Sequence, residues 1–414
     1  MRTRRCCVII AMCLVVAMPL PLMADDLFRN IHLQGEITHV QPMTGIVMWA
    51  PSSKSEMDYI QLEFVKLGYN DVVQQKGVYD WSTVEGYLKS IASRKHQAVL
   101  RFRETEPGEK TTVPDFIKRL KNYAETYEQI EGKGTDLPDW SNPEYQEFFL
   151  DFYEKLAKKY DNDQRLAFLE VGFGLWAEYH INGGSEVYGG TFPSLAFQAQ
   201  LFNKLPVLFR QTPWAISEDA HQSGRSPFAA DSSLLKLKFG IFDDSFDRAW
   251  KPGYNLAGWN FFGRQRFQNS PVGGEILFKD KGNAFAESVA MEWKQQAQSF
   301  GITFLLGEQW RDVTTIEKIR DHGLACGYKF QVTSFKANSK QSIVSVKNIG
   351  VAPIYYDAFM TVNGIRSQES LKGLLPGTQY EFHVSSGGDP SKIKLTIECD
   401  RLVLGQSIEF TAEL

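Results

Sequence analysis

Cysteine is scarce, with five in 414 residues. Three of them, Cys6, Cys7 and Cys13, lie in the N-terminal apolar stretch, which leaves Cys326 and Cys399 far apart in the rest of the chain. There is no Cys-x-x-Cys pair and no His/Cys cluster, and the seven histidines are scattered. Neither a disulfide-framed scaffold nor a zinc site has sequence support, and no metal or cofactor is expected. The two remaining cysteines read as small buried apolar side chains rather than as a bridge. A cationic surplus is missing too: 45 basic residues stand against 49 acidic ones, the net charge is −4, and no basic stripe appears. That excludes the broad electrostatic footprint of a nucleic-acid-binding protein. No Gly-rich phosphate turn follows an early strand, which argues against a dinucleotide-binding open sheet. Internal repeats and low-complexity stretches are absent as well.

Long apolar runs are confined to the N-terminus. Met1 to Ala24 carries Arg2, Arg4 and Arg5, an apolar core from Cys6 to about Leu20, and a small residue before Asp25-Asp26. That is the order of a secretory signal. Pro19 and Pro21 break the core short of the ~20 residues a spanning helix needs. Residues 1–24 are therefore expected to be a cleaved signal peptide, with an uncleaved anchor as the alternative. The mature chain is expected to be secreted or periplasmic, with no integral membrane segment.

Beyond the N-terminal stretch the chain alternates strand and helix. Strand candidates are Gly45–Trp49, Ile60–Val65, Ala98–Arg103, Leu166–Phe173, Pro206–Arg210, Lys238–Phe242, Pro271–Ile276 and Ile302–Leu306. Helical spacing of apolar residues runs over about Trp81–Arg94, from Asn142-Pro143 to about Lys159, and over Leu195–Lys204, Phe285–Phe300 and Thr314–Cys326. The near-continuous apolar run Leu166–Phe173 suits a parallel strand buried on both faces. Eight such strands with helices between them predict a TIM (β/α)8 barrel over residues 25–328, whose functional groups gather at the C-terminal ends of the strands. Past about Lys329 the period changes to two between turns such as Asn363-Gly364 and Pro376-Gly377. This predicts a small antiparallel β-sandwich over residues 329–414.

Two glutamates fall at predicted strand ends, Glu178 after the fourth strand and Glu275 at the end of the seventh. Hydrolysis of a glycosidic bond needs two carboxylates flanking it, about 5–5.5 Å apart in retaining enzymes. Glu308, ending the eighth strand in Gly307-Glu308-Gln309-Trp310, is the rival to Glu275. Glu170 lies mid-strand, where a buried carboxylate needs a partner such as Arg101 or Arg103. Arg101, Arg103 and Glu104 end the third strand and either orient substrate or form an internal ion-pair network. His180 is a candidate donor to a sugar hydroxyl or to Glu178. Asp243 and Asp244, ending the sixth strand, are candidate ligands for sugar hydroxyls or for calcium. Aromatics make up 13% of the chain and include nine tryptophans. Trp49, Trp176, Trp214, Trp250 and Trp310 follow strand candidates, and such planes suit the C–H faces of sugar rings.

The passage Gly77-Val78-Tyr79-Asp80-Trp81, then Val99-Leu100-Arg101-Phe102, Val113-Pro114-Asp115-Phe116 and Ser141-Asn142-Pro143, resembles the large glycoside hydrolase clan A, including the family 42 β-galactosidases. Gly174–His180 (Gly-x-Trp-x-Glu-x-His) and Pro271–Glu275 (Pro-x-Gly-Gly-Glu) resemble more closely a group of secreted bacterial proteins in which such a barrel precedes a small β domain (domain of unknown function 4832). The resemblance spans nearly the whole mature chain. It implies that Glu178 is the general acid/base and Glu275 the nucleophile of a retaining glycoside hydrolase acting on a poly- or oligosaccharide. One departure is Ala177, since clan A enzymes usually carry Asn before the acid/base to hold the sugar 2-hydroxyl. Ala177 favours the alternative expectation, a non-catalytic glycan-binding protein on a glycosidase-like barrel.

Overall fold

A computed structural model describes residues 27–51, 59–222, 224–246, 255–276, 287–307 and 315–414; side chains are described from residue 293 onward in the helix that begins at Glu287. The N-terminal segment read as a signal lies outside the described residues, as do Trp250, Glu308 and Trp310.

Eight parallel strands form one sheet: β1 (Gly45–Trp49), β2 (Leu62–Gly68), β3 (Gln97–Arg103), β4 (Leu166–Glu170), β5 (Trp214–Ser217), β6 (Gly240–Asp243), β7 (Gly273–Gly274) and β8 (Phe304–Leu306). Their spatial order is β7-β6-β5-β4-β3-β2-β1-β8. A parallel bridge between Glu275 and Leu306 joins the two ends, with the Ile276 amide donating to the Leu306 carbonyl at 3.1 Å. The sheet is thus rolled into the expected barrel. Helices α1 (Ser82–Ser93), α2 (Pro143–Tyr160), α3 (Leu195–Leu208), α4 (Leu256–Phe262), α5 (Glu287–Phe300) and α6 (Ile316–Leu324) fall between or after the strands.

Strand alternation sorts the core into two layers. Ile46, Met48, Val65, Leu100, Phe102, Leu169, Ile216 and Ile241 face outward and pack with the helices. Val47, Leu62, Phe64, Val99, Phe168 and Phe304 form a second cluster inside, continuous with the C-terminal sheets. Two residues beyond these inner positions stand Lys66, Arg101 and Glu170, so the same period that fills the barrel with apolar side chains aims charged ones at its upper interior. The outer layer is held by helices with ordinary local causes. In α2, Pro143 takes the first position, the Asn142 side chain accepts from the Tyr145 amide at 3.1 Å, and Phe148, Phe149, Phe152 and Leu156 are buried. Burial of each such side chain contributes about 1.5–3 kcal/mol.

The fifth strand differs from the sequence expectation. Residues 206–208 end α3, with Pro206 inside it, and β5 begins at Trp214. The Asp161 carboxylate accepts from the amides of Arg210, Gln211 and Thr212, which fixes the turn between them. Trp214 therefore opens its strand instead of following one. It is buried, stacked on Phe202 and Phe239, and lies at the end of the barrel away from Glu178. The expectation that it lines the glycan-binding rim is corrected accordingly.

After the barrel come β9 (Phe330–Ala337), β10 (Ser342–Asn348), β11 (Ala358–Val362), β12 (Gln379–Val384), β13 (Leu395–Cys399) and β14 (Phe410–Glu413). One sheet has the order β12-β10-β9-β14 and is extended by residues 34–35, with residues 29–30 pairing with β9. The pairings are antiparallel except β9 with β14, which run parallel. Strands β11 and β13 form a second sheet with residues 365–366. This part docks at the N-terminal ends of the barrel strands. Arg401 donates to the Asp163 and Leu166 carbonyls at 2.8 and 3.0 Å and lies over the Tyr356 ring, whose hydroxyl donates to the Ala167 carbonyl at 2.5 Å. Cys326 and Cys399 are both buried and free, and burial pushes the Cys326 thiol up to about 12.

Candidate active site

At the opposite end, the loop after β4 folds back tightly. Gly174 has φ +77°, and Trp176, Ala177 and Tyr179 have φ of +53°, +65° and +68°. Three side-chain-bearing residues in the left-handed region within four positions are costly, at about 1–3 kcal/mol each where the conformation is strained, and such outliers cluster at functional sites. Bonds from the surroundings hold them: Trp176 N to Thr105 O at 2.9 Å, Tyr179 N to Phe173 O at 2.8 Å, Leu175 N to His180 O at 2.9 Å. The buried Glu104 carboxylate accepts from Gly174 N at 2.9 Å and Trp140 Nε1 at 3.2 Å, and burial pushes it up to about 8. Gly172 is required because a Cβ there would lie 1.8 Å from the Ala177 carbonyl. The folded loop turns Glu178 into the barrel mouth.

Glu178 meets Glu275 at Arg101. The guanidinium is fully buried, flanked by the rings of Phe64 and Phe242 at 4.9 and 4.3 Å. Its Nη1 lies 2.6 Å from Glu178 Oε1, and its Nη2 lies 2.6 Å from Glu170 Oε2 and 3.1 Å from Glu275 Oε1. Burial opposes its charge, but the three carboxylates together hold it above the ordinary arginine range. Glu178 is 6% exposed and Glu275 9%. Burial raises the Glu178 carboxyl well above the usual range, Glu275 reinforces the rise, and Arg101 opposes it. Glu170 is pushed up to about 7, chiefly by burial. Lys66 is lowered by burial and then by Arg101, while Glu178 and Glu275 pull the other way. Its Nζ stands 5.2 Å from the centre of the Trp49 ring.

The other predicted residues divide. Trp49, at the end of β1, and Trp176, in the loop after β4, are half-buried, Trp49 edge-on to Phe64 and Trp176 with its ring 6.0 Å from His180. His180 is buried, its Nε2 3.8 Å from both Glu178 Oε2 and Asp244 Oδ2. Arg103 is tied to Glu106 at 2.9 Å. Asp243 turns outward to the helix layer, accepting from Asn255 Nδ2 at 2.5 Å and Trp259 Nε1 at 2.7 Å, so its carboxyl is spent on packing α4 and does not reach the cleft. Burial, then Glu218 and Asp244, raise it well above its usual range.

No protein-family model matches the chain, and no curated protein matches it. Among solved structures it is similar to endo-glycoceramidase II from a Rhodococcus species, at TM-score 0.43 and 10% identity over 86% of this chain and 96% of that one. It is also similar to the galactosidase domain of the alpha-galactosidase–sucrose kinase AgaSK (TM-score 0.41, 11% identity, 86% of this chain and 56% of that one). A third likeness is to the family 36 alpha-galactosidase AgaA from Geobacillus stearothermophilus (TM-score 0.41, 8% identity, 83% and 55%). Likenesses at these scores carry no weight for activity. The site's own geometry must do so.

Among the described residues, two groups near the mouth have metal-ligand spacing, Glu178–His180–Asp244 and Glu218–Asp219–His221, with one ligand atom of each residue within 4.8 Å of the others in its group. The second group is missing from the sequence expectations, as is Lys66. A fifth strand at 206–210 leaves Trp214-Ala215-Ile216-Ser217 as loop and hides the acidic turn at its end. Read as a strand, that apolar run points straight at Glu218. Lys66 carried a weaker signal, the second inner position after Phe64.

Proposed function

We propose that the protein is an exported glycoside hydrolase of the clan A kind that acts on a poly- or oligosaccharide by double displacement. The observation that carries the reading is the pair Glu178 and Glu275 on the two Nη atoms of one buried arginine. Two carboxylates brought together at one site are what acid and nucleophile roles require. Glu178, held protonated by burial, gives its proton to the glycosidic oxygen as the aglycone leaves. Glu275 attacks the anomeric carbon and forms an ester with the sugar. Glu178, now a carboxylate, takes a proton from water, the water oxygen bonds to the anomeric carbon, and the Glu275–sugar bond breaks. Arg101 fixes one oxygen of each carboxylate; Trp49 and Trp176 offer planes for sugar rings, and His180 offers a ring nitrogen.

The test is the anomer formed first, followed by proton NMR during hydrolysis of an active substrate. Retention is expected, and inversion would overturn the double-displacement reading. A second reading, glycan binding without turnover, is favoured by Ala177, whose methyl group has no donor or acceptor for a sugar 2-hydroxyl. Under it Glu178→Gln and Glu275→Gln would bind glycan as the wild type does and no product would form.

A further inference from the structure

We infer that the turn Glu218–His221, at the C-terminal end of β5, binds a divalent metal ion through Glu218, Asp219 and His221. The turn is a 3-10 helix, where residues i and i+3 lie one above the other, so Glu218 and His221 share a face. Glu218 carries the argument. Its side chain is 2% exposed, and its Oε2 is fully buried without a hydrogen-bond partner. That oxygen lies 3.3 Å from His221 Nδ1, and one ligand atom from each of Glu218, Asp219 and His221 falls within 4.8 Å of the others. A buried polar atom left without a bond is costly and asks for a ligand. His221 Nδ1 also lies 2.9 Å from the Glu218 carbonyl oxygen. Donation from Nδ1–H to that carbonyl fixes the ring as the usual outer support of a metal-bound histidine does, and leaves Nε2 with the lone pair for the ion.

Two carboxylates and one imidazole suit Mn2+ or Zn2+ better than Ca2+, which takes oxygen ligands, or the soft metals that thiolates select. Three protein ligands leave coordination positions for water or a substrate hydroxyl. Asp244 faces His180 at 3.8 Å. Arg225 Nη1 lies 4.0 Å from Asp219 Oδ2.

The inference does not depend on the glycosidase reading, because metal binding is measured without substrate. The full chain, stripped with a chelator, is titrated calorimetrically with MnCl2 and ZnCl2, and Mn2+ binding is followed by electron paramagnetic resonance. One saturable ion per chain is expected, with affinity lowered at least tenfold in Glu218→Gln and in His221→Ala. Gln keeps the shape of the buried acid, and the exposed side of His221 gives a second variant should the first not fold. Absence of saturable binding of either ion, or equal affinity in the wild type and in whichever variants fold, would overturn the inference.

Discussion

At the residue scale the barrel's interior chemistry turns on one buried arginine and three acids. Arg101 faces Glu170, Glu178 and Glu275 from a site with no solvent contact. Removing one partner of a buried ion pair leaves uncompensated charge and costs about 3–5 kcal/mol. Arg101→Ala is therefore expected to lower the unfolding free energy by about that amount, read by urea denaturation; a loss under about 1 kcal/mol would mean that the carboxylates are neutral and self-sufficient. Glu178→Gln removes the proton donor and is expected to reduce kcat by about 10²–10⁴-fold. Because its carboxyl is raised, wild-type activity is expected to fall on the alkaline side as Glu178 deprotonates, and the variant's pH profile is expected to lose that limb. Glu104 supplies a stability counterpart. Its carboxyl sits at about 8 in the fold and near about 4.3 unfolded, so the folded chain holds the extra proton between those values. Its contribution is complete below the lower value and is lost as pH rises through the upper one. Glu104→Gln is expected to flatten the decline of stability between about pH 5 and 9, measured by denaturant titration at several pH values; an unchanged slope would contradict the assignment.

At the element scale the prediction concerns the loop that presents Glu178. Gly172→Ala drives a methyl group onto the Ala177 carbonyl, and overpacking of this kind costs about 1–3 kcal/mol. A lower melting temperature together with lost turnover is expected, and a variant with unchanged melting would show that the loop relaxes. Period-two and period-3.6 patterns made seven of the barrel strands legible, and Glu178 and Glu275 with them, because buried parallel strands leave an apolar trace. The fifth strand was not legible. Pro206 suggests a helix end before it, yet α3 continues through it, and the turn that sets the strand's start is made by Asp161, remote in sequence. That one shift moved Trp214 from rim to base and concealed Glu218 and His221. The convergence of Arg101 on two glutamates was equally hidden, since it depends on β3, β4 and β7 closing around one axis.

At the scale of the whole molecule the two ends of the barrel divide the work. The C-terminal sheets close the N-terminal end through Arg401, Tyr355 and Tyr356, and residues 29–30 and 34–35 join the same sheet. The ion pairs of Arg101 and the left-handed residues Trp176, Ala177 and Tyr179 lie at the other end. Arg401→Ala is expected to destabilise the chain by about 1–3 kcal/mol, since it leaves buried carbonyls without donors, while kcat stays at the wild-type value. A fall in kcat with unchanged stability would mean that the sheets act on the site. The central claim is that Glu178 and Glu275 cleave glycosidic bonds, and the most direct measurement incubates the wild type and Glu275→Gln with a panel of plant, algal and host glycans, recording binding and product together. Product from the wild type alone, with binding kept by the variant, is the predicted result; equal binding by both with no product from either would contradict it.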